Sequence, residues 1–267
     1  MNKRTIFFIF SAIILIISIS CMNSGEPVLP ALNPGSKANP DELTFNCLFP
    51  IQIGRNWTYR YRENKFSYHY NRIISDTSYL ERWTVMENNG NPGNTQNYIS
   101  VKRENQNNSS VINRMEYYLN NNNSSFLWYG FKDEQKNEEH SFDAKLLIFP
   151  VETNSSWPTD IPFDGSDFYV KIKGINTIST VSDVVNSPAG TFIHCVRADF
   201  TAKERLNVTG AGLSDVEGII SYWYAPNIGI VETKLFIRVK SVEKPEIDEK
   251  SEITRILDSY SSQPPSP

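Results

Sequence analysis

The sequence predicts an all-β fold: a single curved antiparallel sheet or half-barrel, with few or no helices beyond an N-terminal signal peptide. Three observations carry this expectation. Apolar and polar residues alternate, first at Trp57, Tyr59 and Tyr61 against Thr58, Arg60 and Arg62. Such a period of two marks a strand with one buried face. Short runs rich in Asn, Gly, Pro and Ser separate the alternating segments, as in antiparallel meanders. No fixed-period repeat of the kind that builds solenoids or propellers is present.

Residues 1–20 read as a secretory signal. Lys3 and Arg4 make a basic start, and Ile6 to Ile19 is apolar apart from Ser11 and Ser18. A run of about 14 residues suits the apolar core of a signal peptide; a membrane span needs roughly 20. Ser18 and Ser20 are small, and Cys21 follows at once. This order resembles a bacterial lipobox, whose cysteine is acylated and becomes the mature N-terminus. Ser18 stands where the usual motif has Leu, which is similar to the relaxed spirochaete form. The resemblance implies Cys21 as the lipid attachment site, with palmitate among the acyl groups. A plain signal peptide with a chance cysteine is the alternative.

Residues 21–45 read as a flexible tether. Pro27, Pro30, Pro34, Gly25 and Gly35 fall within it, a composition that buries little apolar surface and stays extended. Two or three acyl chains anchor a protein stably, whereas one does so only marginally. Met22, not Asp, follows the cysteine. By analogy with the enteric sorting rule this favours the outer membrane. The expected location is the bacterial cell envelope, with the membrane as partner through the lipid anchor.

Residues 46–260 are expected to form one β domain, followed by a disordered tail over 261–267. Alternating segments start at Asn56, Tyr79, Asn97, Val111 and Ser125. A strand from Asp143 is ended or bent by Pro150, and a long one from Asp167 carries Gly174 as a bulge or bend. "SPAGT" from Ser187 is a turn, and a strand from Phe192 pairs back across it. The stretch from Gly218 gives two strands around Pro226 to Gly229. The last segment, from Lys250, also fits helical spacing at Ile253, Ile256, Leu257 and Tyr260, but lacks clear caps and is read as a closing strand.

Charge excludes one class of partner. The formal charge is −4, and loss of Lys3 and Arg4 with the signal takes it to −6. No basic cluster remains to meet nucleic acid. Sequons such as those at Asn56, Asn154 and Asn207 follow from an Asn-rich composition. With Cys21 acylated, Cys47 and Cys195 are left as a candidate disulfide in a compartment that permits one. Two separate buried thiols are the alternative.

Three strings carry a family resemblance: "FPIQIGRNWTY" from Phe49, "SPAGTFIHC" from Ser187 and "YWYAPNIGIVE" from Tyr222. Together they resemble a group of uncharacterised bacterial envelope lipoproteins with P-A-G-T-F and Y-A-P-x-x-G hairpin motifs. The resemblance spans Phe49 to about Val242, and residues 65–145 match no motif. It implies a curved sheet similar to half-barrel carriers of lipoproteins or envelope lipids, with no catalytic residues to transfer.

Chemistry is sparse. His69, His140 and His194 lack partners at metal-binding spacing, and adjacent strand residues such as His194 and Cys195 face opposite ways. Asp160, Asp164 and Asp167 surround Gly165, but not at the spacing of a calcium-binding loop. We expect no cofactor, no metal and no enzymatic activity. Two readings remain. In one, the curved sheet holds an apolar ligand, with Tyr59, Tyr61 and Trp83 as its candidate ligand face. In the other, the domain is a structural or protein-interaction module with a filled core.

Overall fold

A computed structural model describes residues 43–50, 52–86, 99–105, 113–121, 124–134, 136–164 and 169–261. The signal, Cys21, most of the tether, the tail beyond Ser261, Gly165 and Asp167 lie outside the described residues. The described residues all lie in one compact unit, Ala38–Pro267.

One helical turn, α1 (Phe45–Leu48), precedes twelve strands: β1 (Asn56–Ser67), β2 (Arg72–Met86), β3 (Ile99–Asn105), β4 (Asn113–Asn121), β5 (Ser125–Asp133), β6 (Glu138–Ile148), β7 (Ser156–Asp164), β8 (Tyr169–Ser187), β9 (Gly190–Val208), β10 (Gly212–Ala225), β11 (Gly229–Ser241) and β12 (Asp248–Ser261). They form one antiparallel sheet ordered β6-β5-β4-β3-β2-β1-β12-β11-β10-β9-β8-β7. The predicted fold class holds, and the sheet curls further than a half-barrel. Its edges, β6 and β7, are consecutive in sequence and meet. Thr159 Oγ1 accepts from the Lys145 amide at 2.8 Å, and Lys145 O accepts from Trp157 Nε1 at 2.8 Å and Asn176 Nδ2 at 3.0 Å. Side chains from β7 and β8 thus close the barrel where no backbone ladder does.

The closing strand at the C-terminus is β12, as expected, and it pairs with β1 to zip the two halves of the sheet together. Strand β7 was not anticipated. Pro158 and Pro162 argue against a central strand, but an edge strand accepts proline because one side of its backbone has no ladder to supply. Gly174 is not a bulge: a Cβ there would lie 2.4 Å from Thr201 O and 2.5 Å from the Phe200 ring. Glycine is needed for close approach, while the β8–β9 bulges fall further on, between Ile178 and Val185.

Because all neighbours are antiparallel, the starts of odd strands and the ends of even strands share one end of the barrel. Leu43, Leu48 and Phe49 are buried there. Phe49 packs against Phe126 at 4.7 Å, Tyr118 at 5.4 Å and Trp57 at 5.7 Å between ring centroids. Leu43, assigned to the tether from the sequence, therefore belongs to the plug of this end. The amide of Asn227 donates to Cys47 O at 2.6 Å and ties the plug to the β10–β11 turn.

Candidate functional site

Inward side chains fill the plugged end with rings, but the other half of the barrel keeps a chamber of about 520 Å³. Its wall is made by every second residue of the strands that surround it. Tyr61 comes from β1, Tyr79 and Trp83 from β2, Tyr222 from β10, and Ile253 and Arg255 from β12. A second cavity of about 300 Å³ at the rim is lined by Val208, Ala211, Ile237, Val239 and Ile247; Lys65 borders both.

A buried ionic layer crosses the floor of the chamber. Arg103 donates Nε to Glu81 Oε1 and Nη1 to Glu116 Oε1. Arg255 Nε donates to Glu81 Oε2 at 2.8 Å. Trp128 Nε1 donates to Glu116 Oε2 at 2.7 Å. Both carboxylates are fully shielded from solvent, and the two guanidinium groups nearly so. Burial would push the Glu81 carboxyl up, but the charges of Arg103 and Arg255 and their hydrogen bonds outweigh it and hold the group at about 2. Burial likewise works against the charged form of Arg103, and Glu81 and Glu116 overcome it. Glu81, Arg103 and Arg255 are thus ionised at neutral pH. Above the layer, burial pushes the Tyr222 phenol up to about 12, so it stays protonated.

Of the expected ligand face, Tyr61 and Trp83 stand on the chamber wall, and Tyr59 does not. Tyr59 is buried behind Trp83, its ring 5.1 Å away, and its hydroxyl donates to Ile230 O at 2.9 Å. A bulge between Thr58 and Tyr59 sets its place in the β1–β12 register. Cys47 and Cys195 are not bridged. Cys195 is fully buried on β9 with its thiol 3.6 Å from Phe192 O, whereas Cys47 sits half-buried on α1. Asp160 lies on edge strand β7, 3.5 Å from Lys171 Nζ. Among the described residues no group of three or more His, Cys, Asp or Glu could hold a metal ion.

The ionic layer escaped the sequence reading, although its signal was present. Glu81 shares strand parity with Tyr79, Trp83 and Val85; Arg103 shares it with Val101, Glu116 with Tyr118, and Arg255 with Ile253 and Leu257. A charge on the apolar face of four strands close together in a sheet requires partners across the strands.

Fold and chamber define a class: a twelve-stranded antiparallel barrel, plugged at one end and hollow in the other half. Two solved structures are similar to it. One, from Bacteroides fragilis NCTC 9343, is described as an exported protein with a YMCC-like fold; it is 14% identical with a TM-score of 0.42, over 81% of this chain and 99% of its own. The other, from Parabacteroides distasonis ATCC 8503, is described as a lipoprotein; it is 13% identical with a TM-score of 0.36, over 80% of this chain and 98% of its own. No protein-family model and no curated protein matches the chain.

Proposed function

We propose that this chain is a lipid-anchored protein of the bacterial outer membrane, acylated at Cys21, that acts by binding an apolar-bodied ligand inside its barrel and not by catalysis. The observation that carries the reading is the unfilled half of the barrel. Protein interiors pack to the density of organic crystals, with few voids larger than a water molecule. A chamber of about 520 Å³ walled by Tyr61, Tyr79, Trp83, Ile220 and Ile253 departs from that norm and lies in the size range of ligand pockets, about 300–1,000 Å³. Lipid mass spectrometry of the protein purified from membranes tests it. A stoichiometric co-purifying molecule supports the reading, and an empty barrel that takes up no lipid defeats it. Metabolic labelling with palmitate tests the anchor: Cys21→Ala should lose the label and the membrane association together.

One observation favours the interaction module. The β1–β2 hairpin exposes Tyr68, Tyr70, Ile73 and Ile74 at its tip, and clustered exposed apolar side chains commonly mark interfaces. Cross-linking in membranes separates the two readings. A protein partner lost on Ile73→Ser with Ile74→Ser, with no lipid in the barrel, would make the hairpin the working surface.

A further inference from the structure

We infer that the ligand carries an oxyanion head, a carboxylate or a phosphate, seated on Trp83 and Arg255 at the chamber floor. The inference rests on the reading of the chamber as a ligand site and names the chemistry of one end of that ligand. It follows from which polar groups the protein leaves unused.

The acceptors of the chamber are answered. Glu81 receives Arg103 and Arg255, and Glu116 receives Arg103 and Trp128. Nearer the mouth, Glu63 receives the Tyr61 hydroxyl at 3.2 Å and the Ser251 hydroxyl at 2.8 Å. Donors, by contrast, are left over. Arg255 gives only Nε to the protein, and Arg103 gives Nε and Nη1, so guanidinium N–H groups of both remain unanswered among the described residues. The five tryptophans make the same point. Trp57, Trp128, Trp157 and Trp223 each donate Nε1 to a protein oxygen. Trp83 Nε1 has no partner, although the residue is 94% buried, being 6% exposed, and lines the chamber.

A buried donor without an acceptor costs about 1–3 kcal/mol, and native proteins carry few of them. A ligand acceptor would satisfy it. Charge points to the same class. The chamber wall, with Glu81 behind it, holds five Lys and Arg side chains and four carboxylates, which leaves one positive charge for the ligand to balance. Guanidinium N–H groups are suited to oxyanions because their planar fork matches two oxygens at once. Apart from the charged side chains and the hydroxyls of Ser75, Thr77 and Thr233, the wall is aromatic and aliphatic, and Lys65 borders both it and the apolar rim cavity. Head and body therefore have separate surfaces, as an amphiphile requires.

The test uses the chain from Cys21 to Pro267, made without acylation, and equilibrium binding of radiolabelled palmitate and radiolabelled 1-hexadecanol. The two share a chain length and differ in the head. Palmitate should bind at least tenfold more tightly than hexadecanol. Trp83→Phe deletes the indole N–H, which no protein group uses, and keeps a ring. It should weaken palmitate at least fivefold and hexadecanol by less, since a hydroxyl oxygen accepts from the indole more weakly than a carboxylate does. Arg255→Gln should abolish the preference, but it also strips Glu81 of a partner, so Trp83→Phe is the deciding variant. Lysophosphatidic acid of the same chain length distinguishes the head: tighter binding than palmitate assigns a phosphate, weaker binding a carboxylate. Equal affinity for palmitate and hexadecanol, or a preference unchanged by Trp83→Phe, overturns the inference while the chamber remains a ligand site. Binding of neither overturns both.

Discussion

Trp57 Nε1 donates a hydrogen bond of 2.6 Å to Ile228 O, joining β1 to the β10–β11 turn across 171 residues of chain. The contact is not isolated. Arg55 Nη2 donates to Asn227 O at 2.6 Å, and the Tyr59 hydroxyl reaches Ile230 O. Two of the three strings that carry the family resemblance, from Phe49 and from Tyr222, are therefore docked on each other. The third, from Ser187, reaches the same end through the Ala189 amide, 3.3 Å from Leu257 O. These strings build the plugged end of the barrel, and of their residues only Tyr222 and Ile230 reach the chamber wall.

Trp57→Ala should destabilise the domain by about 3–5 kcal/mol, the range for deleting a large core aromatic. Gly229→Ala should cost about 1–3 kcal/mol, by backbone strain and by crowding. Gly229 has φ of 108°, and an added Cβ would meet Trp57 Nε1 at 3.3 Å. Urea unfolding of both variants checks the pair. A loss below about 1 kcal/mol for Trp57→Ala would place the ring outside the stabilising core.

Glu81 gives the barrel an acid-sensitive element. Its folded value of about 2 lies below the ordinary 4.5, so between these pH values the unfolded chain binds the extra proton. The stabilisation is fully present above about pH 4.5 and is lost as pH falls toward 2. It amounts to roughly 3 kcal/mol at about 1.36 kcal/mol per pH unit of displacement. Glu81→Gln should cost on the order of 3–5 kcal/mol at pH 7, because it leaves buried guanidinium charge uncompensated. It should also flatten the fall in stability between pH 4.5 and 2. A variant that loses stability with acid as steeply as the parent would assign that loss to other carboxylates.

Cys195 should resist alkylation. Burial, with Asp183 adding to it, pushes its thiol up to about 12, so at pH 8 almost none is thiolate, the reactive form. Iodoacetamide at pH 8 should leave Cys195 unmodified in the folded protein and modify it in urea, read by peptide mass spectrometry. Rapid modification under native conditions would mean that β9 opens locally.

Much of this fold was legible because one face of each strand is buried and a period of two records it. Trp57, Trp83, Phe126 and Leu257 were all on readable apolar faces. The hairpins at Pro188 and Pro226 were marked by proline and glycine. Two features were hidden for physical reasons. Strand β7 carries two prolines, and only its position at the sheet edge makes them tolerable. The ionic layer sits at inward positions, where the rule of polar-out alternation assigns no charge. Its residues Glu81, Arg103, Glu116 and Arg255 come from β2, β3, β4 and β12, and only the closing of β12 on β1 brings Arg255 to Glu81. Tyr59 stands off the chamber wall for a related reason. Alternation put it inward, but it could not show that Ile230 O would take its hydroxyl.

The junction between β6 and β7 is the weakest part of the barrel wall. Elsewhere neighbouring strands share ladders of backbone bonds, whereas here the Lys145 amide and carbonyl meet only the side chains of Thr159, Trp157 and Asn176. Each such bond contributes about 0.5–1.5 kcal/mol net, so the seam should open well below the energy of global unfolding. Thr159→Val keeps the shape of the side chain and removes the acceptor for the Lys145 amide. Global stability should fall by about 1–2 kcal/mol, since the amide loses its buried partner. Hydrogen exchange at Lys145 should quicken far more than exchange at Phe200 or Ile220, which stand in the middle of β9 and β10. If Lys145 and those central amides accelerate by the same factor, the seam unfolds only with the whole domain and does not open by itself.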